Sequence, residues 1–121
     1  MDFKIILFKQ LMFSNCIAFS ACFLSPINAA EFQVLNTKVP IIIVSGKLKL
    51  KDEKKFIAKI LNIDQAVVVL NSTGGNLVAG LEIGKAIHLK NFSTYVPADT
   101  ICASACALAW LGGKEAGLPN G

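Results

Sequence analysis

Ser104 is the residue of this chain whose surroundings best fit a nucleophile. It lies between Ala103 and Ala105, at the entrance to a predicted helix of small and apolar residues that ends at Gly112-Gly113. Backbone N–H groups at a helix start can stabilise a developing oxyanion, and the small neighbours leave space for an acyl group. The alternative is structural, because a serine at this position can cap the helix and stabilise it by about 1 kcal/mol.

A glycine-rich turn precedes this segment in the chain. Asn71-Ser72-Thr73-Gly74-Gly75-Asn76 separates an apolar predicted strand from a predicted helix. Glycine lets backbone N–H groups face a ligand with no Cβ in the way, and a helix N-terminus adds positive potential. By itself, a pair of glycines after a strand is more often only a tight turn.

The sequence pattern provides no base beside Ser104. The only histidine, His88, is far along the helix that begins at Leu77. That places it roughly 16 Å from the glycine turn, outside hydrogen-bond reach. We expect a surface or boundary histidine. Lys114 lies beyond the Gly112-Gly113 break, and nothing in the sequence directs it back to the Ser104 hydroxyl.

Cys102 and Cys106 flank Ser104. Because no histidine accompanies them, a zinc site is not expected, and we predict neither a metal nor a cofactor. Residues spaced i and i+4 on a helix are near the upper limit of disulfide Cα separations. We therefore expect small buried apolar side chains here, although an exported chain could carry a disulfide. Their redox state stays open.

The first thirty residues have the pattern of an export signal. Lys4 and Lys9 precede an apolar region at 11–24 and a turn with small residues at 25–30. Cleavage after position 29 or 30 would separate a signal peptide over 1–30 from the domain at 31–121, giving a periplasmic or secreted protein. The apolar region is shorter than the roughly 20 residues that span a bilayer. An uncleaved membrane anchor and a lipoprotein are the alternatives.

Composition narrows the classes of function. The chain has 121 residues, enough for one domain, and is 54% hydrophobic, which excludes a long disordered protein. Every basic residue is a lysine, whereas reading phosphates or base edges usually relies on arginine. Half of the lysines fall at 47–59, where they alternate with Asp52 and Glu53. We interpret them as a solvated helix face and expect no nucleic-acid partner.

Hydrophobic periodicity predicts an α/β domain. Strands are predicted at Val39–Leu50, Ala66–Leu70 and Phe92–Val96, helices at Lys51–Asn62, Leu77–Lys90 and Ala103–Leu111, an extended piece at Thr100–Cys102, and the start of another strand within Lys114–Pro119. Continuous apolar runs are typical of strands covered on both faces, and the alternation of strands and helices favours a mainly parallel sheet. Gly80 and Gly84 share a helix face that could approach the sheet closely. Glu31–Thr37 is too short to assign.

Taken together, the two motifs resemble the Clp-protease/crotonase superfamily. They are Asn-Ser-x-Gly-Gly-Asn at 71–76, followed by a helix with two glycines, and Ala-Ser-Ala at 103–105. The likeness is closest to small exported proteins related to the proteolytic subunit of Clp protease, over about residues 41–121. The resemblance implies a Clp/crotonase-like α/β fold with flanking helices. It also implies serine peptidase activity on a peptide or protein substrate. It implies that Ser104 is the nucleophile and that the backbone N–H groups of Gly75 and Ala105 form the oxyanion hole.

The chain departs from that family in two places. Thr73 stands where proline is common, and no residue matches the family's histidine, which lies on the strand after the Gly-Gly stop, or its later aspartate. We therefore expect a C-terminally truncated, nearly inert domain, because an unassisted serine hydroxyl is a poor nucleophile. The main alternative is a non-catalytic protein on the same fold that associates with itself or another protein. Acyl-CoA chemistry is a third, which the export signal disfavours because coenzyme A is a cytoplasmic metabolite.

Overall fold

A computed structural model describes residues 29–119, so the predicted export signal lies outside the described residues except for Ala29 and Ala30. The elements are β1 (Glu31–Leu35), β2 (Ile41–Ser45), α1 (Asp52–Ile60), β3 (Val67–Asn71), α2 (Leu77–Leu89), β4 (Ser93–Tyr95), α3 (Ala105–Leu111) and β5 (Ala116–Gly117). The strands form one sheet in the order β1-β2-β3-β4-β5, in which β1 is antiparallel to β2 and all other pairs are parallel. The predicted α/β class with a mainly parallel sheet and flanking helices is confirmed. β1 falls in the segment that is too short to assign from sequence.

The three helices within residues 29–119 lie on one face of the sheet. Each joins two neighbouring parallel strands, and right-handed crossovers that advance in one direction place every helix on the same side. Consistent with this, α1 contacts α2 and α2 contacts α3. The alternate strand residues beneath them form the core, since Ile42, Val68 and Leu70 are fully buried.

The opposite face of the sheet is only half buried by the residues that the structure describes. Ile41, Ile43, Val67 and Val69 are partly accessible. The expectation that β3 is covered on both faces is therefore wrong for residues 29–119, because every crossover has the same hand and the same direction. None of the helices in this range is long and apolar enough to cross a membrane.

Glycines bring α2 and α3 to backbone contact. A Cβ added at Gly80 would overlap the carbonyl oxygen of Ala105, and one at Gly84 would come within 2.6 Å of the Leu108 oxygen. The sequence predicted a close approach of these glycines to the sheet, but the element that they contact is α3. The contact fixes the first residue of α3 against α2 and so positions the turn that contains Ser104.

The predicted strand at 39–50 is broken at Gly46, where the backbone adopts a φ of +90°. Beyond it, Lys47 and Leu48 form single bridges with Ala29 and Gly75. This short segment runs beside the glycine turn and supports it from the β2 side.

Candidate functional site

Ser104 connects an extended segment to α3 through a strained backbone. Its φ is 54° and its ψ is −122°. Residues other than glycine rarely adopt a positive φ, and such strain costs about 1–3 kcal/mol, which the surrounding structure must hold. A serine on a sharp, strained strand-to-helix turn is how α/β-hydrolases expose their nucleophile. The Ser104 side chain is likewise exposed.

The Ser104 hydroxyl does not cap α3. Ser104 occupies the N-cap position, but its side chain makes no capping hydrogen bond. A capping serine usually has β-region backbone angles, which direct its hydroxyl to the N–H groups of the first turn. The positive φ removes that geometry, so the capping hydrogen bond of the structural alternative is not formed.

Gly74 lies directly against Ser104. A Cβ added at Gly74 would come 2.9 Å from the Ser104 Cβ and 3.0 Å from the Ala105 nitrogen. Standard bond lengths then place the Gly75 nitrogen within about 7 Å of the Ala105 nitrogen. The fold thus places Ser104 and Ala105 beside the Gly74-Gly75 turn.

The N–H groups of Gly75 and Ala105 are not used by the neighbouring backbone. Leu48 pairs with the residues on either side of Gly75, because its N–H donates to the Gly74 oxygen at 2.7 Å and its oxygen accepts the Asn76 N–H at 2.8 Å. Ala105 is the first residue of α3, where N–H groups have no acceptor within the helix. Within residues 29–119 neither N–H donates a backbone hydrogen bond outside the helices and strands. Gly75 is exposed, whereas Ala105 is fully buried.

Two residues that sequence reasoning did not single out hold the two turns together. Ser72, which is 2% exposed, accepts the Gly74 N–H on its hydroxyl at 3.0 Å. Its backbone also donates to the Ile101 oxygen at 2.7 Å and accepts the Ala103 N–H at 3.1 Å. The Asn71 side-chain oxygen accepts the Ile101 N–H at 3.3 Å. The available signal was their place at the carboxyl end of a parallel strand, where α/β sheets form their sites.

Cys102 and Cys106 form a disulfide that spans the Ser104 turn, with 5.1 Å between their Cα atoms. The expectation of two unjoined apolar side chains is wrong because Cys102 precedes α3. It lies in extended backbone that bridges to Ser72, so the i, i+4 spacing is not helical and the Cα separation falls within the usual range. Cys106 is 1% exposed.

His88 and Lys114 lie away from this turn. His88 is exposed near the carboxyl end of the 13-residue helix α2, whereas the glycine turn immediately precedes that helix. Lys114 follows the carboxyl end of α3, and its backbone N–H donates to the Phe92 oxygen at 2.8 Å, at the start of β4. Ser104 is at the opposite end of α3. The structure therefore places neither residue as a base for its hydroxyl.

Two cavities lie on either side of Ile101. A polar one of about 270 Å³ is lined by Gly46, Lys47, Asn71, Ser72, Thr73 and Ile101. An apolar one of about 390 Å³ is lined by Val96, Thr100, Ile101, Cys102, Ala107, Trp110 and Leu118. Both adjoin the segment that leads into Ser104.

Comparisons with protein-family models, with curated proteins and with solved structures found no match to this chain. The fold and site together define an α/β domain in which an exposed serine, on a strained strand-to-helix turn, contacts a glycine-rich turn at the carboxyl end of a parallel strand.

Proposed function

We propose that this chain is an exported Clp-like serine peptidase scaffold, in which Ser104 is the nucleophile and the N–H groups of Gly75 and Ala105 form the oxyanion hole. In the complete reaction the Ser104 oxygen would attack a peptide carbonyl carbon. The negative charge that develops on the carbonyl oxygen would then be stabilised by the two N–H groups.

One observation carries this proposal: Ser104 has a positive φ, makes no capping bond and lies against Gly74. A purely structural serine at a helix start would adopt the capping geometry, which involves no strain and gains a hydrogen bond. Strain that is retained without such a gain is typical of functional turns.

Within residues 29–119 the proposed nucleophile and oxyanion donors are present, but neither His88 nor Lys114 lies beside Ser104 as a base. The only histidine of the sequence is His88, and α2 keeps it away from Ser104. Without a base the hydroxyl stays protonated and is a poor nucleophile. We therefore expect this chain to bind a tetrahedral acyl analogue but not to hydrolyse peptides.

The test is titration with a peptidyl boronate, which forms a tetrahedral adduct with a serine oxygen. We expect the amide NMR signals of Gly75 and Ala105 to shift together and the boron signal to report a tetrahedral centre, while Ser104→Ala abolishes both effects. Equal binding by wild type and Ser104→Ala, or a shift at neither amide, would contradict the proposal. Peptide hydrolysis that depends on Ser104 would instead show that an unrecognised base exists.

A second candidate, a self-associating protein on the same fold, is favoured by the outer surface of α2. Leu77, Val78 and Leu81 are 63%, 51% and 43% exposed, and apolar residues grouped in this way often mark interaction surfaces. Sedimentation velocity of wild type and Leu77→Glu would test it, since self-association through α2 should be lost in the variant. A wild type that stays monomeric at high concentration would exclude it.

A further inference from the structure

We infer that the Cys102–Cys106 disulfide is a positioning element for Ser104, so that its reduction loosens the turn and weakens the oxyanion site. This inference rests on the proposed function for its catalytic meaning, although its structural part can be tested separately.

The disulfide joins the two segments that Ser104 connects. Cys102 is the last residue bridged to the β3 side, through Ser72, and Cys106 belongs to the first turn of α3. Ser104, with its φ of 54°, lies midway between them. The cross-link therefore closes a covalent ring over residues 102–106 that contains the strained residue.

The other constraints on this turn are non-covalent. α3 has only seven residues and no side-chain cap at its start, and short helices of this kind depend on tertiary contacts. A strained conformation persists only where its surroundings over-determine it. Once the disulfide is removed, the turn is held only by hydrogen bonds and packing. These are the backbone bonds of Ser72, the bonds from the Cys106 and Ala107 N–H groups to the Ala103 and Ser104 oxygens, and the contacts with Gly74 and Gly80. Without the covalent link, more relaxed angles at Ser104 become accessible.

The two sulfurs differ in access, which determines the course of reduction. Cys106 is 1% exposed, whereas Cys102 lines the apolar cavity of about 390 Å³. A thiolate of a dithiol reductant would therefore attack the Cys102 sulfur, and the Cys106 sulfur would leave as a thiolate and take up a proton. The second thiol of the reductant then displaces Cys102 as its thiol. The reductant ends as a disulfide, and the protein gains two electrons and two protons.

The experiment compares the oxidised protein, the protein reduced with dithiothreitol, and the reoxidised protein. Hydrogen exchange followed by mass spectrometry reports on the peptide that contains residues 101–106, and peptidyl boronate titration reports on the site. On reduction we expect the amides of residues 101–106 to exchange about tenfold faster or more. The affinity for the boronate should fall about tenfold to a hundredfold, because displacement of a reacting group by about 1 Å can cost that much. Reoxidation should restore both. Exchange in β3 should not change, which excludes global loosening.

The variant Cys102→Ser/Cys106→Ser is the matched control. It should resemble the reduced protein and show no response to dithiothreitol; if it does not fold, the reduced wild type still gives the comparison. Equal exchange of residues 101–106 in the oxidised and reduced proteins would overturn the inference. If exchange changes but the boronate binds neither form, the disulfide does position the turn and the proposed function is what fails.

Discussion

Removal of the Ser72 hydroxyl should loosen the glycine turn while leaving the rest of the fold in place. Ser72 is 2% exposed, and its hydroxyl accepts the N–H of Gly74 at 3.0 Å. Gly74 is itself buried, so in Ser72→Ala the N–H loses its acceptor with no water to replace it. A buried donor left unsatisfied costs about 1–3 kcal/mol, and the substitution removes too little volume for a cavity to contribute.

This loss of unfolding free energy should be visible in two measurements. For a domain of this size, each kcal/mol lowers the melting temperature by roughly 4–8 °C, and urea unfolding should show the loss directly. If opening of the turn controls exchange, the Gly74 amide should exchange about 5- to 150-fold faster than in wild type.

Ser93→Ala is the matched control, because Ser93 is a half-buried serine in β4 and donates only its backbone N–H, to the Ala66 oxygen. We expect a change of no more than about 0.5 kcal/mol for this variant. If Ser72→Ala and Ser93→Ala unfold at the same urea concentration, the hydroxyl does not hold the turn and the reasoning is refuted.

Three further outcomes are expected. Ser104→Gly should raise the unfolding free energy by about 1 kcal/mol, since relief of the positive φ outweighs the greater flexibility of glycine in the unfolded chain. Ser104→Ala should not raise it. Equal unfolding free energies of the two variants in urea would mean that the turn is unstrained. Gly80→Ala should stabilise α2 by about 1 kcal/mol through helix propensity, but the clash of the new Cβ with the Ala105 carbonyl should destabilise the domain by more. Calorimetry should therefore show a lower melting temperature than wild type. A higher melting temperature would refute the α2–α3 contact. N-terminal sequencing of exported protein should begin at Ala30 or Glu31, because the predicted leader ends after position 29 or 30; a retained Met1 with membrane association would contradict this.

The helices and strands of this protein are largely readable from local pattern. Leu77–Leu89 differs from its prediction by one residue because both the apolar period and the cap are local, with the Asn76 side chain accepting the Ala79 N–H at 2.9 Å. The parallel sheet follows from the alternation of strands and helices. The position of Ser104 at a helix start was likewise predictable, since a run of small and apolar residues follows it.

The conformation of Ser104 and the neighbours of the site residues depend on tertiary contacts. The positive φ of Ser104 and the disulfide at Cys102 depend on where the segment before α3 pairs with Ser72, a contact between residues distant in sequence. Gly80 packs on α3 rather than on the sheet for the same reason. Hydrophobic periodicity indicates which side of a helix or strand is buried, but it does not indicate which other element covers that side. The covering element is determined only when the crossovers place the described helices on one face of the sheet.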